Sequence, residues 1–445
     1  MAFTSPAVSV MGMATIAERR RLARLVHRFG FGPKPGEFEV LLKTGFQSAA
    51  NLYLNAPSSD DFADYQPLPS VSDQGRRPAP NSDQLVAYVT EKRAQINSLS
   101  FWWLDRMVLS EHSLRERMTW FWHGHWATSL SKVDDAMPMY IQNQTLRTYA
   151  LANFADMSRA MVNDGALIYW LDGQANTIKA PNENLSRELM ELFTLGVNRY
   201  TENDVRETAK ALTGYRVNTS SGSVTYLPKQ HFTGNISFLG TVGSFDANSL
   251  SDYLVKREDC ARFITERIWF RFISSANPLN DDNLISSFRE RDISKLIVAM
   301  GNHSSLDNSA NSMVKSPLDW FISTCRALSI TPSAVSRPAT IRNYLNLMGQ
   351  HPFYPPNVGG WPDDEAWLST SAAQYRIDFS SYLIKEGNLS PISSVTPNNR
   401  IEALSNWLGV AEWSSRTSLA LRGAINDPAR MTLLALCSPE YVVSA

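Results

Sequence analysis

The sequence predicts a mainly α fold: a large multi-helical domain with a small β-hairpin insertion and short C-terminal helices. Three observations lead to this class. Apolar side chains recur at helical spacing along most of the chain, residues suited to capping helices precede several of these stretches, and the clearest strand patterns are confined to about residues 215–240. A chain of 445 residues can also bury a sizeable core without disulfides or a structural metal.

The first third of the chain alternates between helical patterns and turns. Helices are expected over residues 17–29, within 36–54, from Ser82 towards Ile96, and again around residues 101–107. The stretch 56–81 is rich in Pro, Ser and Asp and has no apolar period, which predicts a long loop. Ser113 and Glu116 have the spacing of a capping box and predict a helix start.

The remaining elements follow in the same way. Helices are predicted over 139–154, 166–171 and 185–195, with Gly196 after the last of them, and a second capping box at Thr201 and Asp204 opens the next helix. Residues 215–218 and 223–227 predict a hairpin, and 236–239 a further small strand. Further helices are expected over 258–272, 293–300, 401–408, 418–421 and 428–436.

These elements suggest a simple domain organisation. We expect a flexible N-terminal extension over residues 1–17, a main helical domain over 18–385, and a C-terminal helical appendage over 400–445 that packs on it. Residues 386–399 contain Gly, Pro, Ser and Asn and are the best linker candidate.

Composition excludes several classes of protein. The 42 Lys and Arg against 43 Asp and Glu argue against a dedicated nucleic-acid binder, and no apolar run is long enough to predict a membrane span. Cys260, Cys325 and Cys437 are far apart and form no CxxC, which argues against a disulfide framework or a zinc–thiolate site. The arginines at 19–21 follow the apolar start, the reverse of a signal peptide, so a cytoplasmic location is expected.

One long segment is distinctive. It runs from Pro181 through Asn-Glu-Asn-Leu-Ser-Arg-Glu-Leu-Met-Glu-Leu-Phe-Thr-Leu to Gly196, and Tyr200–Gly214 continues it. Four further motifs are also distinctive: His27-Arg-Phe-Gly-Phe-Gly-Pro33, Phe121-Trp-His-Gly-His-Trp-Ala-Thr-Ser129, Pro355-Pro-Asn-Val-Gly-Gly-Trp-Pro362 and Ser438-Pro-Glu-Tyr441.

Over roughly residues 20–445 the chain closely resembles the bacterial family catalogued as domain of unknown function 1800. The resemblance implies no assigned activity, and many members look exported, which this chain does not. The family's usual His-Asp-x-Gly-x-Lys loop is represented by His231-Phe-Thr-Gly-Asn-Ile236, so Phe232 replaces the acid and Ile236 the lysine.

Two glutamates are candidate functional residues. In a helix over 185–195, Glu188 projects into the apolar face and Glu191 lies at its edge three residues later, so both carboxylates can point the same way. A carboxylate on a buried face needs a partner, a metal ion or a raised pKa. One interpretation is an ion pair with Arg147, Arg187 or Arg206; the other is a metal or catalytic role.

Three histidines complete a candidate metal site. His125 returns to the apolar stripe of its helix, and His123 shares its face only if the chain is extended there. His231 lies in a polar loop. Together with the two glutamates these imidazoles form a nitrogen and oxygen ligand set that suits a divalent Zn, Fe, Mn or Mg ion. The structural alternative is that the histidines are satisfied core residues.

The sequence therefore predicts a metal-dependent enzyme that acts on an unidentified, apolar or aromatic-stacking small molecule. His125, Glu188 and Glu191 are its catalytic candidates, His123 and His231 are further metal ligands, and Trp122, Trp126, Arg147 and Arg187 are candidate substrate-binding residues. One alternative is a non-catalytic binding or scaffold protein. A further alternative is a magnesium-dependent lyase similar to terpene cyclases, suggested by Asp134-Asp135 and Asn182 to Ser186. The sequence does not indicate an oligomeric state.

Overall fold

The mainly α fold is confirmed by the structure, a computed structural model that describes residues 14–57, 60–64 and 66–444. Helices account for 61% and strands for 4% of the described residues. Most of the expected N-terminal extension, residues 1–13, lies outside the described residues, and its last two residues, Ile16 and Ala17, already belong to the first helix.

In the described residues, the regular elements of the first part of the chain are all helices. Their bounds are Ile16–Arg28, Glu37–Thr44, Phe46–Leu54, Asp61–Asp64, Asp83–Leu109, Leu114–His125, Leu130–Val133, Ala136–Tyr149, Phe154–Val162 and Gly165–Trp170, followed by a 3₁₀ turn at Gly173–Ala175.

The middle of the chain carries the small β structure. It contains the α-helix Asn184–Glu188, the π-helix Leu189–Thr194 and the α-helix Glu202–Ala211. The predicted hairpin is confirmed as Tyr215–Val217 paired antiparallel with Val224–Tyr226, and a second one pairs Ile236–Phe238 with Thr241–Gly243. The 3₁₀ turn Pro228–Gln230 lies between the two hairpins.

The last part returns to helices and closes on a third strand pair. The helices are Ala247–Lys256, Glu258–Phe272, Asp282–Ser287, Ile293–Gly301, Pro317–Leu328, Pro338–Leu347, Thr370–Glu386, Ser390–Ser393, Arg400–Leu408, Ser415–Gly423, Pro428–Leu436 and Pro439–Val442. Short 3₁₀ turns occupy Ser304–Leu306, Pro332–Ala334, Asp364–Trp367 and Pro397–Asn399. Met313–Val314 pairs antiparallel with Val443–Ser444.

The loop predicted over 56–81 contains a one-turn helix, Asp61–Asp64, and three further predicted local features are wrong. The two helices expected around Ile96 and Phe101 are one helix of 27 residues, because no Gly or Pro interrupts Asp83–Leu109. Conversely, the single stretch expected over 36–54 is split at Gly45, which adopts a φ of 76° that favours glycine.

The predicted capping box at Ser113 is the third feature that is wrong. Ser113 caps no backbone N–H with its side chain. Glu116 instead is buried and accepts hydrogen bonds from Trp103 and from two arginines, Arg106 and Arg147. The capping box at Thr201 and Asp204, in contrast, is confirmed in both of its hydrogen bonds.

The helix predicted over 185–195 is helical, but it changes type after Glu188. In the π-helix Leu189–Thr194, the N–H of Leu195 donates to the carbonyl of Met190 at 2.8 Å, and the Thr194 hydroxyl donates to Leu189 at 2.5 Å. The wider turn moves the residues after Glu188 away from the positions expected for an ideal α-helix. Such segments are frequent at functional sites.

The buried apolar side chains form two clusters. One is built around the N-terminal helices, the hairpins and the helices between residues 247 and 301; the other is built around Asp83–Leu109, Pro317–Leu328 and the C-terminal helices. The helix Leu114–His125 supplies Phe121 to the first and Trp120 to the second. It therefore lies at the boundary between the two cores.

The C-terminal segment is tied to the first helix. The guanidinium of Arg19 donates to the side chains of Ser405 and Asn406 and to the carbonyl of Ala411. The strand pair Met313–Val314 with Val443–Ser444 adds a second connection, from the C-terminus to the segment before Pro317–Leu328.

Across the described residues, every helix is too short or too polar to cross a bilayer.

Candidate functional site

Two adjoining hollows lie at the boundary between the cores, and together we call them the charged cleft. The first has a volume of about 40 Å³ and the second about 50 Å³, enough for a few waters or a small ligand group. Both are lined by the same four residues, Arg117, Arg271, Ser316 and Asp319. These four side chains therefore form the wall that the two hollows share.

The first hollow lies between the helices Leu114–His125 and Glu258–Phe272 and the loop that carries Trp361. Its other lining residues include His125, Gly124 and Arg267. The loop approaches the helix closely at Gly360, where an added Cβ would lie 2.6 Å from the carbonyl oxygen of Gly124, and the φ of Gly360 is 88°. Glycine is therefore required at Gly360 to close this wall.

The second hollow lies beneath the end of the first helix. His27 and Arg28 line it from that helix, Lys315 from the residue after the strand Met313–Val314, and Asp363 and Asp364 from the loop. Its wall thus combines residues from segments that are hundreds of positions apart in the chain.

Two ion pairs fix the shared wall. Arg117 pairs with Asp319 and Arg271 pairs with Asp363. Asp364 is also occupied, because it accepts the N–H of Val314 at 2.8 Å and the hydroxyl of Ser275 at 2.5 Å. The three carboxylates of the cleft are therefore already engaged.

Arg267 differs from these arginines. It forms no ion pair or hydrogen bond with any other residue in the described part of the chain, and its Nε is buried without a partner. Burial lowers the pKa of its guanidinium and neighbouring Arg271 lowers it further, while the charge of Asp363 opposes the shift. An unpaired buried donor costs about 1–3 kcal/mol, so this position favours an incoming acceptor.

Lys315 is the second group in the cleft without a polar partner. Its residue is 6% exposed, and its Nζ lies 3.7 Å from the ring centroid of Tyr441. Within the described ranges its Nζ donates no hydrogen bond and forms no ion pair with a carboxylate. Burial holds the pKa of Lys315 well below its ordinary value, although Asp319 opposes this.

His125 lies where sequence analysis placed it, on the buried face of its helix, and it also lines the first hollow. Its Nε2 donates to the carbonyl of Phe193 at 3.0 Å, which satisfies a carbonyl in the last turn of the π-helix. Burial lowers the pKa of His125 to about 3, and Arg267 contributes to the shift. The ring is neutral, and its buried Nδ1 lacks a partner among the described residues.

The surroundings of His125 are aromatic. Its ring contacts Phe121, Trp122, Trp126, Phe154, Phe193 and Phe263. These contacts and the Phe193 carbonyl are what the structural alternative predicts for a satisfied core histidine.

His123 and His231 lie in different surroundings. His123 is on the same helix but belongs to the other core, where its Nε2 accepts the N–H of Phe353 at 3.2 Å and burial lowers its pKa to about 3. His231 is 7% exposed and its Nδ1 donates to the carbonyl of Thr213 at 3.0 Å. The helical backbone at residue 124 means that His123 and His125 do not share an extended face.

The structure brings Glu188 and Glu191 near each other. The hydroxyl of Tyr200 donates to Glu191, and burial followed by the charge of Glu191 raises the pKa of Glu188. Arg187 points to Glu202 and Glu183 instead. Neither Glu188 nor Glu191 forms an ion pair within the described residues, so the expected pairing with an arginine is not observed there.

The predicted substrate-binding residues other than Arg187 are core residues. Trp122 is fully buried and donates to the carbonyl of Ala150 at 3.0 Å, and Trp126 packs 4.6 Å from the ring of Phe193. Arg147 is held by Glu116. None of these three lines the charged cleft.

The residues that suggested the terpene-cyclase alternative also form ion pairs or hydrogen bonds within the protein. Asp134 and Asp135 lie 2.8 and 3.4 Å from the Nζ of Lys92, and Ser186 is buried with its hydroxyl bonded to Val205. That alternative stays a prediction.

Sequence reasoning missed Arg267, Arg271 and Lys315. Arg267 and Arg271 are four residues apart on one helix, and two like charges at this spacing within an apolar stretch are a usable signal of a charged site. Lys315 precedes the N-cap Ser316 of a helix and carries no comparable signal.

The fold and the cleft define a helical protein with an internal, arginine-lined cleft. The chain belongs to the family described as protein of unknown function (DUF1800), whose model matches residues 24–443. The chain matches no curated protein and no solved structure. Segments that carry the family resemblance meet at the cleft, since His27 and Arg28, His125, and Trp361 all line it.

Proposed function

We propose that this protein is an enzyme that acts on a small molecule bearing a carboxylate or phosphate group, which it binds in the charged cleft. The observation that supports this most is Arg267, a half-buried guanidinium in the wall of a hollow, which forms no close ion pair or hydrogen bond in the described part of the chain. A guanidinium fork matches a carboxylate or phosphate in a bidentate geometry.

The charge of the cleft supports the same ligand class. Arg28, Arg117, Arg267 and Arg271 line it together with three aspartates, so the arginines exceed the carboxylates by one even when Lys315 is neutral. The small hollows favour a compact ligand over a large apolar one. The ligand class expected from the tryptophans is therefore replaced by an anionic one in this proposal.

Binding of simple anions tests the proposal. Inorganic phosphate or acetate is expected to raise the melting temperature of the full chain, because a ligand that binds only the folded state stabilises it. Arg267→Met is expected to weaken the anion affinity by about tenfold or more, since about 1.4 kcal/mol of charged hydrogen bonding corresponds to that factor. Isothermal titration calorimetry would measure the affinity.

Arg262→Met is the matched control. Arg262 lies on the same helix, but it is exposed and pairs with Asp282 at 3.2 Å. The Arg262→Met variant is expected to bind anions as tightly as the unmodified protein does. An equal response of both variants, or no response of the unmodified protein to either anion, would contradict the proposal and favour a scaffold role.

A divalent metal site at Glu188 and Glu191 is a second proposal, favoured by the two adjacent carboxylates without an arginine partner. The described residues contain no group of three or more His, Cys, Asp or Glu that could hold a metal. The ion would therefore take most of its ligands from water, as Mg²⁺ commonly does. His125, His123 and His231 as ligands of the same ion stay a prediction.

Elemental analysis tests the metal proposal. If an ion is bound, Glu188→Leu is expected to lower both the metal content and the melting temperature, and a chelator should mimic the variant. The loss is about 2.7 kcal/mol when the metal is present at a hundred times its Kd. Glu202→Leu, which removes an exposed carboxylate paired with Arg187, is the control. Unchanged metal content and melting in Glu188→Leu would exclude this site.

We also propose that the protein works in the cytoplasm. Its three cysteines are free, and Cys260 and Cys325 are buried as thiols, as expected in a reducing compartment.

A further inference from the structure

We infer that Lys315 is a nucleophilic amine that forms a Schiff base with a small 2-oxo acid held in the charged cleft. This inference rests on the proposed anion-binding function, which it deepens by naming the reacting residue and the class of substrate.

The position of Lys315 is fixed by its backbone. Its N–H donates to the carbonyl of Val442 at 2.9 Å, next to the strand pair Met313–Val314 with Val443–Ser444. Its carbonyl accepts a hydrogen bond from Arg376 at 3.4 Å. The side chain leaves this anchored backbone into the second hollow, which it lines.

The surroundings of the amine favour its neutral, nucleophilic form. The face of Tyr441 attracts a cation, but burial has the larger effect and lowers the pKa of Lys315. The charged and titratable groups that line the hollow with it are His27, Arg28, Arg117, Arg271, Asp319, Asp363 and Asp364. Among them the carboxylates of Asp319 and Asp363 are paired with arginines, so neither forms an ion pair with the amine.

One hollow carries both groups that a small 2-oxo acid needs. Arg117 and Arg271 line the second hollow together with Lys315, and Arg267 lies on the other side of the shared wall, in the first. A 2-oxo acid carries its carboxylate next to its carbonyl carbon and is small enough for this space. The carboxylate would bind the arginines while the carbonyl carbon meets the amine.

The step balances without a further reactant. The lone pair of Lys315 Nζ attacks the carbonyl carbon, and a C–N bond forms while the carbonyl oxygen becomes a hydroxyl with a proton from the amine. The carbinolamine then loses this oxygen as water, which leaves a C=N bond. No oxidation or reduction occurs.

Reductive trapping tests the inference on the full chain. The protein is treated at neutral pH with glyoxylate and cyanoborohydride, and each lysine is quantified by peptide mass spectrometry. Lys315 is expected to be labelled at least about tenfold faster than Lys295, because each unit of pKa difference changes the neutral fraction tenfold. Lys295 is exposed, and its pKa is raised by Glu290.

Two further arms separate this inference from the proposed function. Formaldehyde carries no carboxylate, so Arg271→Met should slow labelling of Lys315 by glyoxylate but not by formaldehyde. If formaldehyde labels Lys315 preferentially while glyoxylate has no advantage, the amine is confirmed and the anion-binding proposal is wrong. If neither reagent prefers Lys315 over Lys295, the inference is overturned, whatever the calorimetry of anion binding shows.

The substrate class and the variant are checked in the same experiment. Faster trapping with glycolaldehyde phosphate than with glyoxylate would overturn the 2-oxo acid. Lys315→Met removes an amine that has no polar partner, so it should fold, as circular dichroism would show, and lose the label. The comparison of lysines in the unmodified protein remains decisive even if this variant fails to fold.

Discussion

Replacing Glu116 with leucine is expected to lower the free energy of unfolding by about 3–5 kcal/mol, because it leaves buried Arg147 without its anion and Arg106 with only the more exposed Asp64. Glu116 is 2% exposed and accepts hydrogen bonds from Arg106 at 3.1 Å, from Arg147 at 2.7 and 3.0 Å and from Trp103 at 3.0 Å. These contacts join the helices Asp83–Leu109, Leu114–His125 and Ala136–Tyr149. Denaturant-induced unfolding would measure the loss.

The same carboxylate predicts a pH dependence. Burial alone would raise the pKa of Glu116, but Arg147 and Arg106 outweigh burial and lower it to about 2. An unfolded chain has a glutamate pKa of about 4.3. The stabilisation is therefore complete above about pH 4.3 and is lost as the pH falls towards 2. Glu116→Gln, which cannot ionise, should lack this part of the acid sensitivity.

Glu111→Leu is the control for the Glu116 variants. Glu111 is an exposed glutamate just before the same helix, and its removal should change stability by less than about 0.5 kcal/mol. Equal melting of the Glu116→Leu and Glu111→Leu variants would show that the buried network contributes nothing to stability.

The two capping boxes show what could be predicted from sequence. At Thr201 and Asp204 both partners lie within one turn, so the local pattern decides the structure and the prediction is confirmed. At Ser113 and Glu116 the same pattern is overridden by Arg147, 31 residues away, and by Arg106. A local pattern cannot reveal a partner that only the fold brings near.

The candidate site illustrates the same limit. The helices that carry His125, Glu188 and Arg267 were predicted, and their apolar faces are buried as expected. The cleft, however, is formed by Arg28, Arg267 and Lys315 from three distant segments, and each appears in sequence as an ordinary basic residue. The π-helix after Glu188 also changes which residues meet, and the apolar spacing of the segment does not predict that change.

Replacing Arg326 with methionine is expected to cost at least about 3 kcal/mol, because it leaves three buried carbonyl groups without a donor and each costs about 1–3 kcal/mol. Arg326 is 1% exposed and donates to the carbonyls of Gly32 at 2.8 Å, Val108 at 3.0 Å and Ser110 at 2.7 Å. Two of these carbonyls belong to the end of Asp83–Leu109, where helical partners are missing.

Arg326 also connects stability to the charged cleft. Its bond to Gly32 holds the turn that directly follows His27 and Arg28, which line the second hollow. Arg326→Met should therefore speed hydrogen exchange in residues 29–34. The exchange rate of Arg326→Lys should lie between those of the unmodified protein and Arg326→Met, because one ammonium cannot replace a planar guanidinium fork. Arg416→Met, at an exposed site, should change neither stability nor exchange. Faster exchange spread evenly over the whole chain would instead mean that Arg326 stabilises the fold without holding this turn.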